Sequence, residues 1–464
     1  MRRQITVGAS CPAMFTILSM RPFLAICLGA ACTAAFALPV APDAGAGARR
    51  PAAPSAGDLP GSTQSLPVAA LGAPAPHTTD RDTLTAPAAQ SLGLPARSVR
   101  PFSLLGVVWD DADAQLQGRV QVRTRATGSG AWSGWQDVQA HNDDAPDLGA
   151  AERHDSDVRG STAPLWVGDS DAVQLRITPE AHHRAPATLP GGLRLELVDP
   201  GEQPRTDRGR RDGPPAPLTL EAAAASAANA KLAPLGATEI PALDLAASQA
   251  DVAAVDGPPL AQTSVGPRPR IVTRAGWGAD EQLREKAFTY THTVRAAFVH
   301  HSGSGNNYTC AQAPSLIRAM YRFHVKSNHW RDIGYNFLID KCGTVYEGRA
   351  GGVAKPVMGA HTLGFNNDST GIAVLGTFTD TEPPKRAVDA VARLTAWKLG
   401  LYGVDPRATI AVRSGGSNRF PKGTKVRLHV ISGHRDGFTT DCPGVHLYNK
   451  LAATRLAAAG LQGR

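Results

Sequence analysis

The feature that most restricts the fold of this sequence is the interleaving of strand-like and helix-like patterns from residue 268 onward. Short apolar runs typical of buried strands are RAAFVHH, IGYNFLID, GTVYEGR, TGIAVLGTF and KVRLHVISGH. Runs with helical periodicity are APSLIRAMYRFHV, PPKRAVDAVARLTAWKLGLY and GVHLYNKLAATRLAAAG, and in the first of these Leu316, Met320 and Phe323 share one face. The alternation predicts an α/β domain with a central mixed sheet flanked by helices.

A different pattern occupies residues 97–200. Short alternating runs, among them GRVQVRTRA and GLRLELVD, are bounded by Gly, Asp, Asn or Pro. This pattern predicts a small all-β, sandwich-like domain. We expect Trp132 and Trp135 to pack in its core, and stacking on sugars is the alternative function for these two side chains.

The N-terminus has the features of a secretory signal peptide. A positive flank precedes an apolar stretch that begins at Phe23, and the small-residue triplet Ala35-Phe36-Ala37 predicts cleavage near Leu38. Residues 1–37 are therefore predicted to be removed on export, which leaves no stable membrane span. A single transmembrane anchor is the alternative, although Gly29 and Thr33 interrupt the apolar run.

The remaining segments are interpreted as spacers. Residues 38–96 are rich in Ala, Pro, Gly, Ser and Thr and are predicted to be disordered, and residues 201–267 are predicted to be a linker before an α/β domain at 268–464. The net charge of +8 favours a polyanionic partner, and an exported protein meets an anionic cell wall. The arginine-rich RTDRGRRDG at 205–213 lacks interleaved aromatic residues, so nucleic acid is not the expected partner.

Candidate metal ligands follow the strand-like runs. His300 and His301 end RAAFVHH, and SGHRDGFTTDCPG carries His434 and Cys442. Neighbouring residues on a strand point to opposite faces, so one histidine of the pair faces a given site, and periodicity does not say which. Two imidazoles, one thiolate and one open position describe a catalytic zinc site.

The cysteine count bears on the same question. Cys310, Cys342 and Cys442 remain after removal of residues 1–37, and an odd number in an oxidising compartment gives one cysteine another role. A disulfide between Cys310 and Cys342 would leave Cys442 for metal. Three cysteines allow three pairings, and the sequence does not choose among them.

Five motifs in order resemble one known family. VHH, DIGYNFLID, GTVYEGR, GAHTLGFNNDSTGIAVLGTF and GHRDGFTTDCPG are similar to the motifs of the peptidoglycan recognition protein and N-acetylmuramoyl-L-alanine amidase family, which includes phage lysozyme-amidases. The resemblance covers about residues 268–455. It implies that His300, His434 and Cys442 bind Zn²⁺.

The resemblance also implies roles for other residues. Tyr335 and Thr440 match positions that assist catalysis, and His361 and Asn366 match positions that line the substrate groove. Arg349 is expected to meet a peptide carboxylate, with pairing to a nearby acid as the alternative.

The implied activity is that of a secreted zinc amidase of the cell wall. It would hydrolyse the amide between the lactyl group of muramic acid and L-alanine in peptidoglycan. A wall-binding module that does not cut is the rival function, and hydrolysis of another amide is the third. Because binders of this family typically lose the ligand cysteine, the presence of Cys442 favours hydrolysis.

Overall fold

The computed structural model describes residues 61–71, 91–140, 144–155, 157–180, 189–202, 217–252 and 264–464. The signal peptide predicted for residues 1–37 lies outside the described residues. Strands within the described ranges are β1 (Ser62–Pro67), β2 (Ala69–Ala70), β3 (Leu92–Trp109), β4 (Gly118–Ala126), β5 (Gln136–Val138), β6 (Gly160–Ser161), β7 (Leu165–Pro179), β8 (Arg194–Asp199), β9 (Glu239–Ile240), β10 (Ile271–Val272), β11 (Ala296–His301), β12 (Phe337–Ile339), β13 (Val345–Glu347), β14 (Ser369–Val374), β15 (Thr409–Arg413), β16 (Lys425–His429) and β17 (Ile431–Gly433).

Helices in the same ranges are α1 (Ala151–Asp155), α2 (Leu220–Ala227), α3 (Leu245–Asp251), α4 (Arg274–Trp277), α5 (Ala313–Arg322), α6 (Lys385–Gly400), α7 (His434–Gly437), α8 (Val445–Tyr448) and α9 (Leu451–Leu461). A 3-10 turn, Cys310–Gln312, precedes α5, and a π-helical turn, Phe323–Ser327, continues it. None of the described helices combines the length and the apolar character needed to cross a bilayer.

The N-terminal part is an antiparallel sheet in which β3 is shared by two halves. Its main strand order is β1-β8-β3-β7-β4-β5, with β2 and β6 also paired to β3. The first part of β3 pairs with β7, and its last part, from Leu104 to Val108, pairs with β8. The two halves enclose one apolar core, to which β3, β4, β7 and β8 all contribute. The sheet agrees with the predicted all-β class. One long strand, β3, joins its two halves.

The expectation that Trp132 packs in the core is wrong. Its side chain is 38% exposed, and Trp135 is half-buried outside the core. The guanidinium of Arg123 lies 5.2 Å from the ring centre of Trp132, and that of Arg176 lies 4.1 Å from the ring centre of Trp135. Both rings therefore lie outside the apolar core, in cation–π contact with arginine side chains.

The C-terminal part contains the predicted mixed sheet. The strand order is β17-β11-β14-β12-β13-β10-β9, with β11 parallel to both of its neighbours and β12 antiparallel to β13. Helices α6 and α9 pack with one face of this sheet. Helix α5 packs with the other face through the predicted stripe of Leu316 and Met320, which continues into the π-helical turn at Phe323. The predicted run KVRLHVISGH divides into β16 and β17.

The predicted spacers contain ordered elements. Strand β1 lies inside 38–96 and pairs antiparallel with β8, and Leu66 packs against the N-terminal core while Ser65 Oγ donates to Glu196. In the predicted linker, β9 forms the edge of the C-terminal sheet. Asn229 Nδ2 donates to Glu347 Oε1 at 2.8 Å in the interior. Within the described residues of these two stretches, side chains such as Leu66 and Asn229 anchor the chain to the folded parts.

The two parts share an apolar core. Leu104, Val108, Trp166 and Val198 of the N-terminal sheet cluster with residues of α5 and with Phe323. Gly106 of β3 allows this approach, because a Cβ at that position would lie 2.5 Å from the Phe323 ring. Both parts belong to one compact unit from Asp58 to Arg464.

One disulfide joins Cys310 to Cys342 with a sequence separation of 32. The bond connects the turn before α5 to the turn between β12 and β13. It is one of the three cysteine pairings that the sequence left open. Cys442 is a buried thiol outside this bond.

Replacing both cysteines, Cys310→Ser with Cys342→Ser, should lower the free energy of unfolding by about 3 to 4 kcal/mol, because a loop of this length loses its closure constraint in the unfolded chain. Urea unfolding followed by tryptophan fluorescence measures this change. A change below about 1 kcal/mol in the double variant would contradict the expectation.

Candidate metal centre

The site begins at the C-terminal end of β11, the strand between β17 and β14. Six residues of this strand are buried, and successive side chains alternate between the two faces of the sheet. His300 points toward the face that carries α5. His301 points to the opposite face, where its Nδ1 accepts a hydrogen bond from Phe378 N at 3.2 Å.

The other two predicted ligands come from the segment after β17. His434 is the first residue of α7, and Cys442 lies in the loop between α7 and α8. One ligand atom from each of His300, His434 and Cys442 lies within 4.8 Å of the others. Cys442 Sγ is 3.7 Å from His300 Nδ1. The structure therefore brings the three predicted ligands together and leaves His301 outside the group.

The protonation states of the two histidines suit metal binding. Burial lowers the pKa of His300 to about 3 and that of His434 to about 3, so both imidazoles are neutral at pH 7. Both ring nitrogens of His434 are buried without a hydrogen-bond partner. Because buried polar atoms are normally satisfied, unpartnered nitrogens beside a thiol fit a bound metal ion.

His361 and Thr362 contact the Nε2 side of the His300 ring, opposite the Nδ1 atom that faces Cys442. His300 Nε2 lies 3.3 Å from both His361 Nδ1 and Thr362 Oγ1. If Nδ1 binds a metal ion, Nε2 carries the ring proton of His300 and His361 Nδ1 or Thr362 Oγ1 accepts it. Such a contact fixes the ring orientation of a metal-ligating histidine. His361, which the sequence places in the substrate groove, is fully buried at this position.

Tyr335 lies beside the ligands, and its hydroxyl meets a carboxylate from the N-terminal part. The ring centres of Tyr335 and His300 are 5.4 Å apart, and Tyr335 Oη donates to Asp144 Oδ2 at 2.5 Å. Burial and the adjacent Asp144 raise the pKa of Tyr335 well above 10, so the phenol stays protonated. It remains a hydrogen-bond donor at neutral pH.

Asp144 also contacts two of the three candidate ligands. Its Oδ1 lies 3.2 Å from His300 Nδ1 and 3.4 Å from His434 Nδ1. Burial raises the pKa of Asp144 to about 6, although His434 and the Tyr335 hydroxyl act in the opposite direction. At pH 7 the carboxyl group is mainly ionised.

The remaining predicted substrate contacts also meet acids of the N-terminal part. Arg349 donates from its two terminal nitrogens to Glu152 at 2.8 and 2.9 Å, and both side chains are buried. This is the alternative of pairing with an acid. Asn366 Nδ2 donates to Asp147 Oδ1 at 2.6 Å. Asn366 Oδ1 accepts from the backbone N–H groups of His361 and Thr362.

Thr440 lies two residues before the candidate ligand Cys442. Its Oγ1 accepts a hydrogen bond from Cys442 N at 3.2 Å, so it supports the loop that carries the thiol. The peptide bond between Cys442 and Pro443 is cis.

A cavity of about 390 Å³ lies next to the site, between the two parts of the chain. Its lining includes Asp144 and Phe438 near the candidate ligands, and Arg153, Arg159 and Lys422 further out. This cavity gives solvent a route to Asp144.

Sequence reasoning did not identify Asp144, Asp147 or Glu152. The only available signal was the concentration of acids in HNDDAPDLGAAE, between two strand-like runs of the β domain. No periodicity connects that loop to histidines more than 150 positions away, so contact with the site could not be inferred.

Comparison with known proteins relates both parts to families. Residues 54–202 match a family described as Rv3811 N-terminal galactose-binding domain-like, and residues 290–445 match N-acetylmuramoyl-L-alanine amidase. Peptidoglycan-recognition protein SC2 of Drosophila simulans is 30% identical over 181 residues, which cover 39% of this chain and 84% of that protein.

Two further proteins match part of the chain. N-acetylmuramoyl-L-alanine amidase of Homo sapiens is 31% identical over 193 residues, covering 39% of this chain and 28% of that protein. The solved structure of wild-type Drosophila PGRP-LB is 27% identical, covers 40% of this chain and 93% of its own, and has a TM-score of 0.32.

Alternation along β11 gives a direct test of the ligand set. His300→Gln should weaken Zn²⁺ binding on the order of 100-fold or more, because changes beyond the ligands already weaken binding about 10- to 100-fold. His301→Gln should keep the affinity of the unaltered chain, since this side chain points to the opposite face. Competition titration with a chromophoric chelator measures the Zn²⁺ affinity of both variants. Thermal unfolding verifies that each variant is folded. Equal affinities in two folded variants would contradict the assignment.

Proposed function

The chain belongs to the family of peptidoglycan recognition proteins and N-acetylmuramoyl-L-alanine amidases, and from this membership we propose that it is a secreted, zinc-dependent N-acetylmuramoyl-L-alanine amidase. The observation that carries the proposal is the convergence of His300, His434 and Cys442 next to the protonated phenol of Tyr335. The substrate would be peptidoglycan, and the site of action the cell wall outside the cell.

The donor set fits zinc. Two neutral imidazoles and a thiol are ligands that Zn²⁺ commonly takes, and three protein ligands are typical of catalytic zinc sites. A bound Zn²⁺ would polarise the carbonyl of the scissile amide and lower the pKa of water at the site to about 7.

The side chains of the chain itself would bind and orient the substrate. Tyr335 would donate its hydroxyl hydrogen to the carbonyl oxygen as negative charge develops there, which requires a phenol that stays protonated. His361 would act as a positioning residue through His300 Nε2. Thr440 would keep the Cys442 loop in place through its hydrogen bond to the backbone.

Substrate binding would use the groove that contains Arg349 and Asn366. The Arg349 guanidinium presents a planar pair of donors that suits a carboxylate of the stem peptide. Asn366 would shape the loop that carries His361 and Thr362, and its Nδ2 would donate to the substrate. The domain boundaries at 268–464 and 97–200, and the signal peptide at 1–37, remain part of this proposal.

Digestion of purified peptidoglycan tests the activity. The protein should release new N-terminal alanine, and the release should stop with a chelator and return when Zn²⁺ is restored. Cys442→Ala should abolish it, since a neutral methyl group cannot replace a thiolate ligand. New reducing sugars without new N-terminal alanine would contradict the proposal. Binding without cleavage would support the rival function of a recognition module.

Tyr335→Phe tests the role of the phenol. Removal of one donor to a developing oxyanion should lower kcat about 100-fold, with a much smaller change in KM. Tyr346→Phe is the matched control. It removes the same hydroxyl oxygen from a buried tyrosine, and that hydroxyl donates to Asp340 and not to a residue of the candidate metal centre. An equal loss of kcat in both variants would show that the effect is structural.

A further inference from the structure

The face of β4 and β7 that points away from the N-terminal core, the outer face, carries a stack of tryptophan and arginine side chains. The guanidinium carbon of Arg123 lies 5.2 Å from the ring centre of Trp132 and 5.3 Å from that of Trp135. The guanidinium carbon of Arg176 lies 4.1 Å from the same Trp135 ring. Rings and cations therefore alternate along the stack, and the proposed function gives this stack no role.

Two glutamines hold the arginines of the stack in place. Because Val122 of β4 lies in the core, its neighbours Gln121 and Arg123 point outward. Arg123 lies opposite Gln174 of β7, and its Nε donates to Gln174 Oε1 at 2.6 Å. Arg176 of β7 lies opposite Gln121, and its Nε donates to Gln121 Oε1 at 2.8 Å. Within the ranges that the structure describes, the terminal nitrogens of both arginines make no hydrogen bond, so each guanidinium keeps donors for a ligand.

The other arginines of β4 are paired with acids. Arg119 forms an ion pair with Asp137 at 2.8 Å, and Arg125 forms one with Asp171 at 2.7 Å. Both strands lie fully within the described residues, and on them the arginines without a carboxylate partner are the two of the stack. The unpaired positive charge of these strands is therefore located beside the tryptophan rings.

The stack fits a ligand that combines an anion with a flat apolar face. The planar fork of donors on a guanidinium matches the two oxygens of a carboxylate. Trp132 is 38% exposed, so part of its ring is open to a ligand beside Arg123. C–H groups form one face of a pyranose ring, and such a face packs on the electron-rich face of an indole. A sugar polymer that carries carboxylates would use both kinds of contact.

A polymer with a phosphate at every unit fits the outer face less well. Its closely spaced charges would also meet the partly exposed carboxylates of Asp137 and Asp171, which repel them. In a carboxylated glycan, sugar units separate the charges, so a carboxylate can reach an arginine of the stack while uncharged groups lie over the aspartates. Charge complementarity therefore favours an acidic glycan.

We propose that the outer face binds the glycan strands of peptidoglycan through Arg123, Arg176 and Trp132, and so anchors the chain to the polymer. Carboxylates of the stem peptides would pair with the two arginines, and an amino sugar of the strand would pack on the exposed part of Trp132. The choice of peptidoglycan among carboxylated glycans rests on the proposed amidase function. The binding surface rests on the contacts of the stack alone.

The binding experiment measures co-sedimentation of the full chain with purified insoluble peptidoglycan, with a chelator present so that the polymer stays intact. Arg123→Gln combined with Arg176→Gln should weaken binding at least about tenfold, because charge-assisted hydrogen bonds to carboxylates are lost. Trp132→Ala should weaken binding about threefold or more through loss of the stacking surface. Thermal unfolding verifies that each variant is folded. Unchanged binding of the folded double variant, or of Trp132→Ala where the double variant does not fold, would overturn the proposal.

The matched control for charge is Arg413→Gln combined with Lys425→Gln. These two exposed residues lie opposite each other on β15 and β16, so the control removes the same charge from the C-terminal part. It should bind peptidoglycan within about twofold of the unaltered chain, because net charge changes equally but the stack stays intact. An equal loss of affinity in the control and in the double variant of the stack would show a general charge effect and overturn the assignment of the surface.

Amidation of the carboxylates of the polymer tests the chemistry of the ligand. On amidated peptidoglycan the unaltered chain should lose its advantage over the double variant of the stack, since a neutral amide is no partner for a guanidinium fork. An advantage that persists would overturn recognition of carboxylates. Tighter binding to a single-stranded oligonucleotide or to anionic phospholipid vesicles than to peptidoglycan, lost in the same double variant, would assign the surface to phosphate and overturn the choice of a glycan.

Digestion in the presence of Zn²⁺ separates failure of this inference from failure of the proposed function. At polymer concentrations below the apparent dissociation constant, the double variant of the stack should release N-terminal alanine from insoluble peptidoglycan more slowly than the charge control. If all proteins bind the polymer equally and release alanine equally, the inference fails and the amidase function stands. If none releases alanine while the affinities differ as stated, the surface is assigned and the amidase function fails.

Discussion

The parallel pairing of β11 with β14 on one side and with β17 on the other determines where the residues of the candidate metal centre lie. Successive side chains of a strand point to opposite faces of the sheet. His300 therefore lies in the group of candidate ligands, and the adjacent His301 lies on the other face. Pairing with β17 brings the start of α7, and therefore His434, to the same end of the sheet. Cys442 follows because the loop after α7 returns toward β11, where its sulfur also lies 3.6 Å from the carbonyl oxygen of His301.

Carboxylates of the N-terminal part accept hydrogen bonds from donors around the candidate metal centre. The Tyr335 phenol donates to Asp144 and the Arg349 guanidinium to Glu152, and two of the candidate metal ligands, His300 and His434, lie next to Asp144. These acids belong to the part of the chain that sequence reasoning left without a role. The all-β part thereby contributes directly to the surroundings of the metal centre.

Local patterns allowed much of this architecture to be predicted. The stripe that includes Leu316 and Met320, the run that became β11 and the spacing of His434 and Cys442 each depend on short stretches of chain. Asp144 could not be found in this way, because its position depends on how a loop of one part docks on another. The strand within the predicted spacer was missed for the related reason that Leu66 is ordered by a partner far along the chain. Trp132 was misassigned because alternation does not reveal which face of a sheet is covered.

The apolar core common to β3, β8 and α5 has a consequence for the mechanics of the molecule. Separating the two parts would expose Leu104, Val108, Trp166 and Val198 to water together, so rotation of one part away from the other is costly. The two parts should consequently unfold in a single cooperative transition. For the same reason, a chain cut between the two parts would leave α5 with an uncovered apolar face rather than yield a smaller autonomous enzyme.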